Sequence, residues 1–312
     1  MEQENKTMIV VKLMDGLGNQ MFQYAFGRYL QEVYNEPIVF ETTKLNSKSL
    51  RKVGIQHLNI GDGQIKPWRM AGRIESLVLR NYSKGIRLLM ARRFKLRGDE
   101  GYTRMIKYGF YTTEDPIQYH PFQKTKLPIK FVRGYFQSEK YFAPVKDIIK
   151  KEFMVKDEPD SEQKSIISDI CKQQSVAIHI RRGDYVNNKR FDVCTENYYM
   201  RAVKKMNELL EDPVYYVFSN SISDLEWIRK NYHLPAENIV YMDKGSSEVD
   251  DLRFMYNCHY HIISNSTFSW WGSYLCVHEG NMTIAPDHWY NDMADYRDIY
   301  RKEWIICETY DF

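Results

Sequence analysis

Short apolar segments alternate with segments of helical pattern throughout the second half of the chain. The apolar segments are each the length of one strand, and the segments between them carry apolar residues at the spacing of a helix. This order is typical of a parallel sheet, because each strand reaches the next through a helix that covers the sheet. We therefore expect a doubly wound α/β domain here. Its predicted strands are 175–180, 214–219, 238–242, 261–263 and 282–285, and its predicted helices are 161–173, 195–210, 223–232, 248–258 and 267–277.

The first half begins with the same kind of unit, a buried strand, a glycine turn, a helix and a second strand. We predict the strands at 8–14 and 37–41 and the helix at 21–30. Later residues predict a strand at 129–136 and a helix at 138–153. The polar, proline-containing stretch 156–160 predicts a boundary between an N-terminal α/β domain, 1–155, and a C-terminal Rossmann-like domain, 156–312.

Charge and apolar content exclude several classes of protein. The formal net charge is +3, from 44 Lys and Arg against 41 Asp and Glu, so we expect no nucleic-acid partner. The longest unbroken apolar run, 214–218, is far shorter than a membrane span. The polar start lacks a signal-peptide core, and the five cysteines include no C-x-x-C pair. We therefore expect a cytoplasmic protein with reduced thiols.

One segment departs from this even balance of charge. Residues 66–107 carry 12 Lys and Arg but only three acids, and their pattern predicts basic amphipathic helices. Such helices would suit a peripheral contact with the inner membrane or with an anionic lipid-linked acceptor. A solvated basic face is the alternative.

The glycine turn at 16–21 reads Gly-Leu-Gly-Asn-Gln-Met. Glu41 follows at about the distance at which a dinucleotide fold places its ribose contact, which makes a nucleotide-dependent oxidoreductase the alternative function. Met21 stands where that fingerprint needs its third glycine, and a simple tight turn would also explain the pattern. Asn19 and Gln20 are uncharged amides at a helix start, suited to a polar ligand.

Two adjacent arginines leave the first strand of the second half. His179 and Arg181 share one face of a strand, because side chains alternate. Arg181 and Arg182 would suit a pyrophosphate, since each guanidinium can bind phosphoryl oxygens through two hydrogen bonds. A surface ion-pair cluster with Asp184 is the alternative.

A hydroxyl-rich turn joins strand 261–263 to helix 267–277. Ser266 or Thr267 suits the position that caps the helix, and the free backbone N–H groups there can bind an anion. The alternative is an ordinary cap, with Trp270 and Trp271 as core residues.

No metal site is predicted. The sequence contains no Asp-x-Asp pair, so the arginines would have to neutralise a diphosphate. His259 and His261 form H-x-H on a predicted buried strand, where we interpret them as structural because no third ligand is near in sequence.

Several motifs together resemble one known family. Residues 16–25, 134–138, 179–186, 264–271 and 302–304 are similar to motifs of the bacterial α-1,2-fucosyltransferases, glycosyltransferase family 11. The resemblance implies an α/β fold of GT-B type, with two facing Rossmann-like domains. The N-terminal domain would be the acceptor side, and the C-terminal domain would hold the donor.

This resemblance also implies an activity and a set of site residues. The family transfers L-fucose from GDP-β-L-fucose to the 2-hydroxyl of a galactose in a glycan acceptor, with inversion and without a metal or other cofactor. Arg181 would contact the β-phosphate with support from Arg182. From its position just past the strand end, Asp184 is expected either to act as the base or to hold Arg182. Arg181, Asp184 and Asn19 are thus the predicted catalytic residues, and donor contacts are predicted for His179, Arg181, Arg182, Asp251, Ser266, Thr267, Gly18 and Gln20. The same arginines and Asp184 argue against a third possibility, a sugar-binding module without activity.

Overall fold

The computed structural model describes residues 7–43, 45, 52–61, 69–94, 98–113, 115–243, 247–292 and 297–310. The chain divides into two compact units. The first comprises Met1–Met154 together with Arg297–Ile299, and the second comprises Val155–Tyr296 and Tyr300–Phe312. The predicted boundary lies one residue from the main division, but the return of Arg297–Ile299 to the first unit was not predicted.

The first unit is built on a parallel sheet of four strands in the order β2-β1-β4-β3. The strand β1 pairs with both β2 and β4, so it lies inside the sheet. The elements of this unit are β1 (Met8–Lys12), α1 (Leu17–Tyr34), β2 (Ile38–Glu41), α2 (Arg73–Phe94), α3 (Gly98–Ile106), β3 (Phe110–Thr112), β4 (Ile129–Arg133) and α4 (Lys146–Glu152).

Helix α1 packs closely on β1. A Cβ atom added at Gly27 would lie 2.5 Å from Cγ2 of Val11, so only glycine allows this approach. Asn35 ends the helix in the left-handed conformation, with its backbone N–H bonded to the Gln31 carbonyl at 2.7 Å. Near the middle of α1, the buried Arg28 donates from Nε to Oε1 of Glu152 at 3.0 Å, which ties α1 to α4.

The predicted single helix at 138–153 is wrong. Two 3₁₀ turns, Glu139–Tyr141 and Ala143–Val145, precede the shorter helix α4. Pro144 lies in the second turn and supplies no backbone N–H, so a continuous α-helix cannot run through this position. The segment predicted to be basic amphipathic helices does contain α2 and α3, although 66–68 and 95–97 lie outside the described residues.

The second unit contains a parallel sheet of six strands in the order β10-β9-β8-β5-β6-β7. Every strand and helix predicted for this half is present, with ends shifted by a few residues at most. Its elements are α5 (Ser161–Lys172), β5 (Ser175–His179), α6 (Glu196–Leu209), β6 (Val214–Phe218), α7 (Ile222–Asn231), β7 (Asn238–Tyr241), α8 (Glu248–Asn257), β8 (Tyr260–Ile262), α9 (Thr267–Tyr274), β9 (Met282–Pro286) and β10 (Ile305–Cys307).

Burial explains why these strands are nearly continuous apolar runs. All five residues of β5 are buried, because β5 pairs with β6 and β8 and helices cover the sheet. Trp270 and Trp271 of α9 are also fully buried, which confirms their interpretation as core residues. The predicted α/β fold class with two parallel sheets is confirmed. Among the described residues, no helix is both long enough and apolar enough to cross a bilayer.

Candidate functional site

The predicted donor residues of the second unit follow neighbouring strands. Strand β5 lies between β6 and β8, and all three run in the same direction. Their carboxyl ends therefore meet at one edge of the sheet, where open α/β folds bind ligands. The segments that leave this edge are 180–185 after β5, 219–221 after β6 and 263–267 after β8.

His179 links two of these segments. Its Nδ1 shares a hydrogen bond of 3.1 Å with Oγ of Ser264, and its backbone carbonyl accepts from the Tyr199 hydroxyl at 3.3 Å. The ring is almost fully buried. Burial, with a smaller effect of the nearby Arg181 charge, lowers the pKa of His179 to about 3, so the imidazole is neutral near pH 7. Its predicted contact with guanine stays a prediction.

Arg181 has one nitrogen that no atom of the described residues satisfies. Its Nη2 donates to Oδ1 of Asp184 at 2.6 Å, and its guanidinium lies 4.9 Å from the centre of the Tyr185 ring. Its Nε is buried and has no hydrogen-bond partner among the described residues. A buried donor left unpaired costs free energy, so this nitrogen is typical of a site that a ligand completes.

Arg182 is held in a different way from its neighbour. Its backbone N–H donates to Oδ1 of Asn220 at 2.9 Å, and its Nε donates to Oδ1 of Asp224 at 3.3 Å. The guanidinium also stacks 3.4 Å from the ring centre of Trp227. The predicted alternative in which Asp184 holds Arg182 is therefore wrong, because Asp184 contacts Arg181 and Asp224 contacts Arg182.

The turn before α9 is built as predicted, with Ser266 as the capping residue. Oγ of Ser266 accepts from the backbone N–H of Phe268 at 3.4 Å, and Thr267 is the first residue of the helix. Asn265 anchors the turn by donating to the carbonyls of Phe191 and Trp289 at 3.0 and 2.9 Å. The hydroxyls and amides at this helix start lie at the same sheet edge as His179 and the arginines.

Asp251 lies farther along the edge. It belongs to the first turn of α8, which follows β7, and β7 is separated from β5 by β6. Its backbone N–H bonds to the Ser247 carbonyl at 3.0 Å. The predicted guanine contact of Asp251 remains a prediction.

In the first unit, the predicted residue Asn19 lies where the segment after β1 contacts the segment after β4. Asn19 accepts at Oδ1 from Nε2 of Gln137 at 2.8 Å, and Tyr135 donates to Oδ2 of Asp15 at 2.6 Å. The motifs 16–25 and 134–138 therefore meet, because they follow the adjacent strands β1 and β4. Gly18 is buried in the first turn of α1.

The side-chain amide of Gln20 makes most of its hydrogen bonds to backbone groups. Its Nε2 donates to the carbonyls of Asp15 and Lys52, both at 2.8 Å, and its Oε1 accepts from the Gly54 N–H at 2.9 Å. Both amide hydrogens are thus used, and the side chain is fully buried. Gln20 fixes residues 52–54 against α1, which leaves at most one lone pair of Oε1 for its predicted donor contact.

Glu41 does not have the surroundings of a ribose ligand. It forms a buried ion pair with Lys12, with 2.9 Å between Oε2 and Nζ, and its Oε1 accepts from the backbone N–H of Thr43 at 2.7 Å. These contacts join the ends of β1 and β2, so they give Glu41 a structural role in the sheet.

The described part of the chain contains no cluster of three or more His, Cys, Asp or Glu placed to hold a metal. Nε2 of the buried His261 shares a 2.8 Å hydrogen bond with the Met255 carbonyl, and Nδ1 of His259 shares one of 3.1 Å with Oγ of Ser175. Both contacts agree with a structural role for this H-x-H pair.

Comparison with known proteins decides the family. The family model "Glycosyl transferase family 11" matches residues 107–308, which is well over half of the chain. The chain belongs to glycosyltransferase family 11. Membership of family 11 makes it a glycosyltransferase, and it removes the support for an oxidoreductase built on the Gly16–Gly18 turn.

Relatives within and beyond bacteria agree with family 11. An alpha-1,2-colitosyltransferase of Escherichia coli is 30% identical, and the match covers 97% of this chain and 99% of that protein. The O-antigen biosynthesis glycosyltransferase WbnK of Escherichia coli is 25% identical, over 89% of this chain and 93% of that protein. The galactoside alpha-(1,2)-fucosyltransferase 2 of Rattus norvegicus is 26% identical, over 57% of this chain and 54% of that protein.

A solved structure supports the same fold for this family 11 member. The crystal structure of NodZ alpha-1,6-fucosyltransferase soaked with GDP-fucose matches with a TM-score of 0.50 and 12% sequence identity. The match covers 86% of this chain and 92% of that chain. At this identity the likeness concerns the fold alone.

Sequence reasoning missed the residues that hold Arg182. Asp224 and Trp227 lie on α7, which follows β6, the neighbour of β5 in the sheet. Nothing in the local sequence pattern distinguishes these two residues from others on the exposed face of a helix. The Ser264 hydroxyl beside His179 was also missed, although it opens the motif 264–271. Asp224 accepts a bond from the half-buried guanidinium of Arg182, so the missed contacts include an ion pair beside the predicted site.

Proposed function

We propose that this glycosyltransferase transfers L-fucose from GDP-β-L-fucose to the 2-hydroxyl of a galactose residue in a glycan acceptor, with inversion at the transferred carbon. The observation that carries the proposal is the buried Nε of Arg181, which has no partner among the described residues and lies at the carboxyl edge of the second sheet. The names of the relatives support an α-1,2 linkage, since a colitosyltransferase and a galactoside fucosyltransferase both carry it.

In this proposal Arg181 stabilises the leaving diphosphate. Negative charge grows on the β-phosphate as its bond to the sugar breaks, and a fixed guanidinium lowers the energy of that state more than it lowers the energy of the bound donor. Arg182 supports the site from its position against Asp224 and Trp227, and Ser266 and Thr267 supply hydroxyl and backbone donors to the pyrophosphate. His179 and Asp251 are proposed to lie near the guanine.

The acceptor hydroxyl must lose its proton during an inverting transfer, and a side chain must take it. Asp184 is one candidate for this role, but its 2.6 Å contact with Nη2 of Arg181 favours a second role, which is to orient that guanidinium. If Asp184 is the base, Asp184→Asn should leave GDP affinity unchanged. If Asp184 orients Arg181, the same change should weaken GDP binding. Asn19 is proposed to act from the first unit, with Gly18 and Gln20 at the same helix start.

We propose that no metal takes part. Two arginines and a helix start provide the positive charge that a divalent cation would otherwise supply to the diphosphate. In this scheme the domain 156–312 binds the donor and the domain 1–155 is the acceptor side. We further propose a cytoplasmic location, because the five cysteines, all within the described residues, form no disulfide.

The second candidate donor carries colitose. The E. coli relative that is 30% identical is named for this sugar, which is fucose without the hydroxyl on carbon 3. A protein that hydrogen-bonds the 3-hydroxyl would discriminate strongly against the deoxy sugar, whereas an apolar pocket would discriminate little. Competition between GDP-fucose and GDP-colitose for one galactoside acceptor would therefore distinguish the two specificities.

Ligand-induced thermal stabilisation tests the donor class directly. We expect GDP to raise the melting temperature, with much smaller shifts from UDP and NAD at the same concentration. Arg181→Ala should lose most of the shift, whereas Arg104→Ala should keep it, because Arg104 pairs with Glu100 on the surface of α3. Equal stabilisation by GDP, UDP and NAD would contradict the proposal. Release of GDP from GDP-fucose on addition of a galactoside would then establish transfer.

A further inference from the structure

Helix α2 is anchored to its own unit by one side only. Leu79 and Ser76 on this side are buried, and Ile86 packs against the cluster that contains Val10, Phe110 and other residues of the first sheet. Successive members of this set are three and seven residues apart, which places them on one face of the helix. Tyr82 borders this face, because its ring centre lies 5.7 Å from that of the core residue Phe131.

The side of α2 turned away from the core carries a second apolar row. Ile74 is 80% exposed and Val78 is 60% exposed, and Leu77 and Leu88 are exposed as well. At 100° per residue these four positions fall on one side of the helix, away from Leu79 and Ile86. An exposed apolar row of this length is unusual on a monomeric protein and marks an interaction surface.

Basic side chains border this row. Arg73, Arg80 and Lys84 are exposed, and their helical positions lie next to Leu77 on the side of the row opposite Glu75. Glu75 is neutralised by Arg69, whose two terminal nitrogens donate to its two oxygens at 3.0 and 2.7 Å. The exposed part of α2 therefore combines apolar side chains with positive charge that has no acidic partner among the residues that the structure describes. We refer to Arg73, Ile74, Leu77, Val78, Arg80, Lys84 and Leu88 as the α2 surface.

Charge along the whole chain is also divided in this way. The segment 66–107 has 12 basic and three acidic residues, while the chain as a whole has a net charge of only +3. The residues outside this segment are therefore net negative. An anionic surface would attract the segment and repel the rest of the chain, which orients the protein as it binds.

We propose that the α2 surface binds the surface of a bilayer that contains anionic phospholipid. The apolar row would enter the boundary between headgroups and acyl chains, and Arg73, Arg80 and Lys84 would lie at the level of the phosphates. A second copy of this chain is the weaker alternative, because the basic border of one copy would repel that of another. This proposal does not depend on the identity of the sugar donor or of the acceptor.

Vesicle co-sedimentation tests the proposal with the full-length chain. We expect binding to vesicles of phosphatidylcholine with 30% phosphatidylglycerol (about one lipid in three), weaker binding to phosphatidylcholine alone, and loss of binding at high salt. The triple variant Arg73→Gln, Arg80→Gln, Lys84→Gln should lower the partition coefficient about 100-fold, since each basic residue near the surface contributes about fivefold. Ile74→Gln, Val78→Gln, Leu88→Gln should lower it by at least about tenfold.

The matched control changes the same charge elsewhere. Lys204→Gln, Lys205→Gln, Lys230→Gln removes three exposed lysines from the second unit and should leave binding to anionic vesicles within about twofold. Equal loss in this control would contradict the proposal by showing that only net charge matters. Absence of wild-type binding to anionic vesicles would also contradict the proposal. A third contradicting result would be a wild type that is a dimer and a variant Ile74→Gln, Val78→Gln, Leu88→Gln that is a monomer, because the α2 surface would then bind a second copy of the chain.

Each variant also needs two independent readings. Circular dichroism and thermal melting should match the wild type, because the changed side chains are exposed. GDP release with a soluble galactoside should also be unchanged, since the α2 surface is not part of the donor site. A variant that keeps this activity and loses vesicle binding supports the membrane proposal alone, whereas a wild type that binds vesicles without transferring fucose contradicts only the proposed function.

Discussion

Nη2 of Arg181 and Oδ1 of Asp184 lie 2.6 Å apart, and the contact leaves Nε of the same guanidinium buried without a partner among the described residues. The next residue, Arg182, is instead bonded to Asp224 and stacked on Trp227. Two adjacent arginines of one motif thus have different surroundings. In the proposed site, Arg181 would offer a hydrogen-bond donor to the ligand, while Arg182 would contribute mainly to its shape and charge.

Removal of the Arg181 guanidinium should therefore affect transfer most. We expect Arg181→Ala to lower kcat by about 10²–10³-fold, because the lost charge stabilises the departing diphosphate. Arg181→Lys should recover little of this activity, since an ammonium group cannot form two parallel hydrogen bonds. Steady-state kinetics with GDP-fucose and a galactoside measures both, with Arg104→Ala as the control for loss of an exposed arginine. Normal turnover in Arg181→Ala would overturn the site.

Asp184→Asn separates orientation from proton transfer. If the carboxylate mainly orients Arg181, affinity for GDP and kcat should fall together, each by about tenfold, because the charge-assisted bond becomes a neutral one. This is the result we expect from the 2.6 Å contact. Calorimetric titration with GDP, together with kinetics across pH, measures it. Unchanged GDP affinity with collapsed turnover and loss of the acidic limb of the pH profile would instead identify Asp184 as the base.

Asp224 and Trp227 should matter through Arg182. Asp224→Asn removes the charge opposite Nε of Arg182, and Trp227→Leu removes the ring beneath its guanidinium. We expect each variant to weaken GDP binding by about three- to tenfold with an unchanged melting temperature. Glu226→Gln, an exposed change on the same helix, serves as the control. Wild-type GDP affinity in both variants would show that the position of Arg182 does not affect the donor site.

Stability should fall as the pH drops below about 6.5. Burial is the main cause that lowers the pKa of His261 to about 4 from an ordinary value of 6.5. Since the unfolded chain then binds a proton that the folded chain excludes, the free energy of unfolding falls by about 1.4 kcal/mol per pH unit for this residue between pH 6.5 and 4. His179, with a pKa lowered to about 3, adds a similar dependence.

Urea unfolding at pH 7, 6 and 5 measures this dependence. In His261→Gln the free energy of unfolding should change less steeply with pH than in the wild type, and the difference should equal the contribution of one histidine. An unchanged slope in His261→Gln would mean that the buried imidazole does not titrate as its surroundings indicate.

Chelation tests the proposed metal independence. Transfer should continue at its full rate in excess EDTA, because Arg181 and the start of α9 supply the positive charge at the diphosphate. Rates measured after dialysis, with and without added Mg²⁺ or Mn²⁺, provide the comparison. Restoration of a lost rate by either ion would contradict the proposed site.

The second unit was predicted well from sequence because its sheet is parallel and buried. Strands such as β5 have no solvent face, so they form apolar runs that stand out against the helices. The strands β3 and β10 were missed, since each has only three residues and takes its conformation from its neighbours. The helix predicted over 138–153 failed at Pro144, which local apolar spacing alone did not reveal.

For the site, motifs located the residues but not their partners. The order of strands brings His179 and Ser264 together, and this was accessible because both follow strands predicted in the same sheet. The partner of Arg182 was not accessible, since Asp224 lies about forty residues away and its pattern is that of any exposed helix. Gln20 was placed at the helix start correctly, yet its bonds to Lys52 and Gly54 depend on a loop that has no sequence signal.

The short segment Arg297–Ile299 has a consequence for synthesis of the chain. It belongs to the first unit, where Asp298 accepts from the backbone N–H of Tyr119 at 2.8 Å and pairs with Lys140. A ribosome reaches this segment only about 140 residues after Met154, which takes roughly 7–30 s at the usual rate of elongation. Throughout this interval the N–H of Tyr119 lacks its acceptor. The first unit is thus completed only after residues 155–296 of the second unit have been translated.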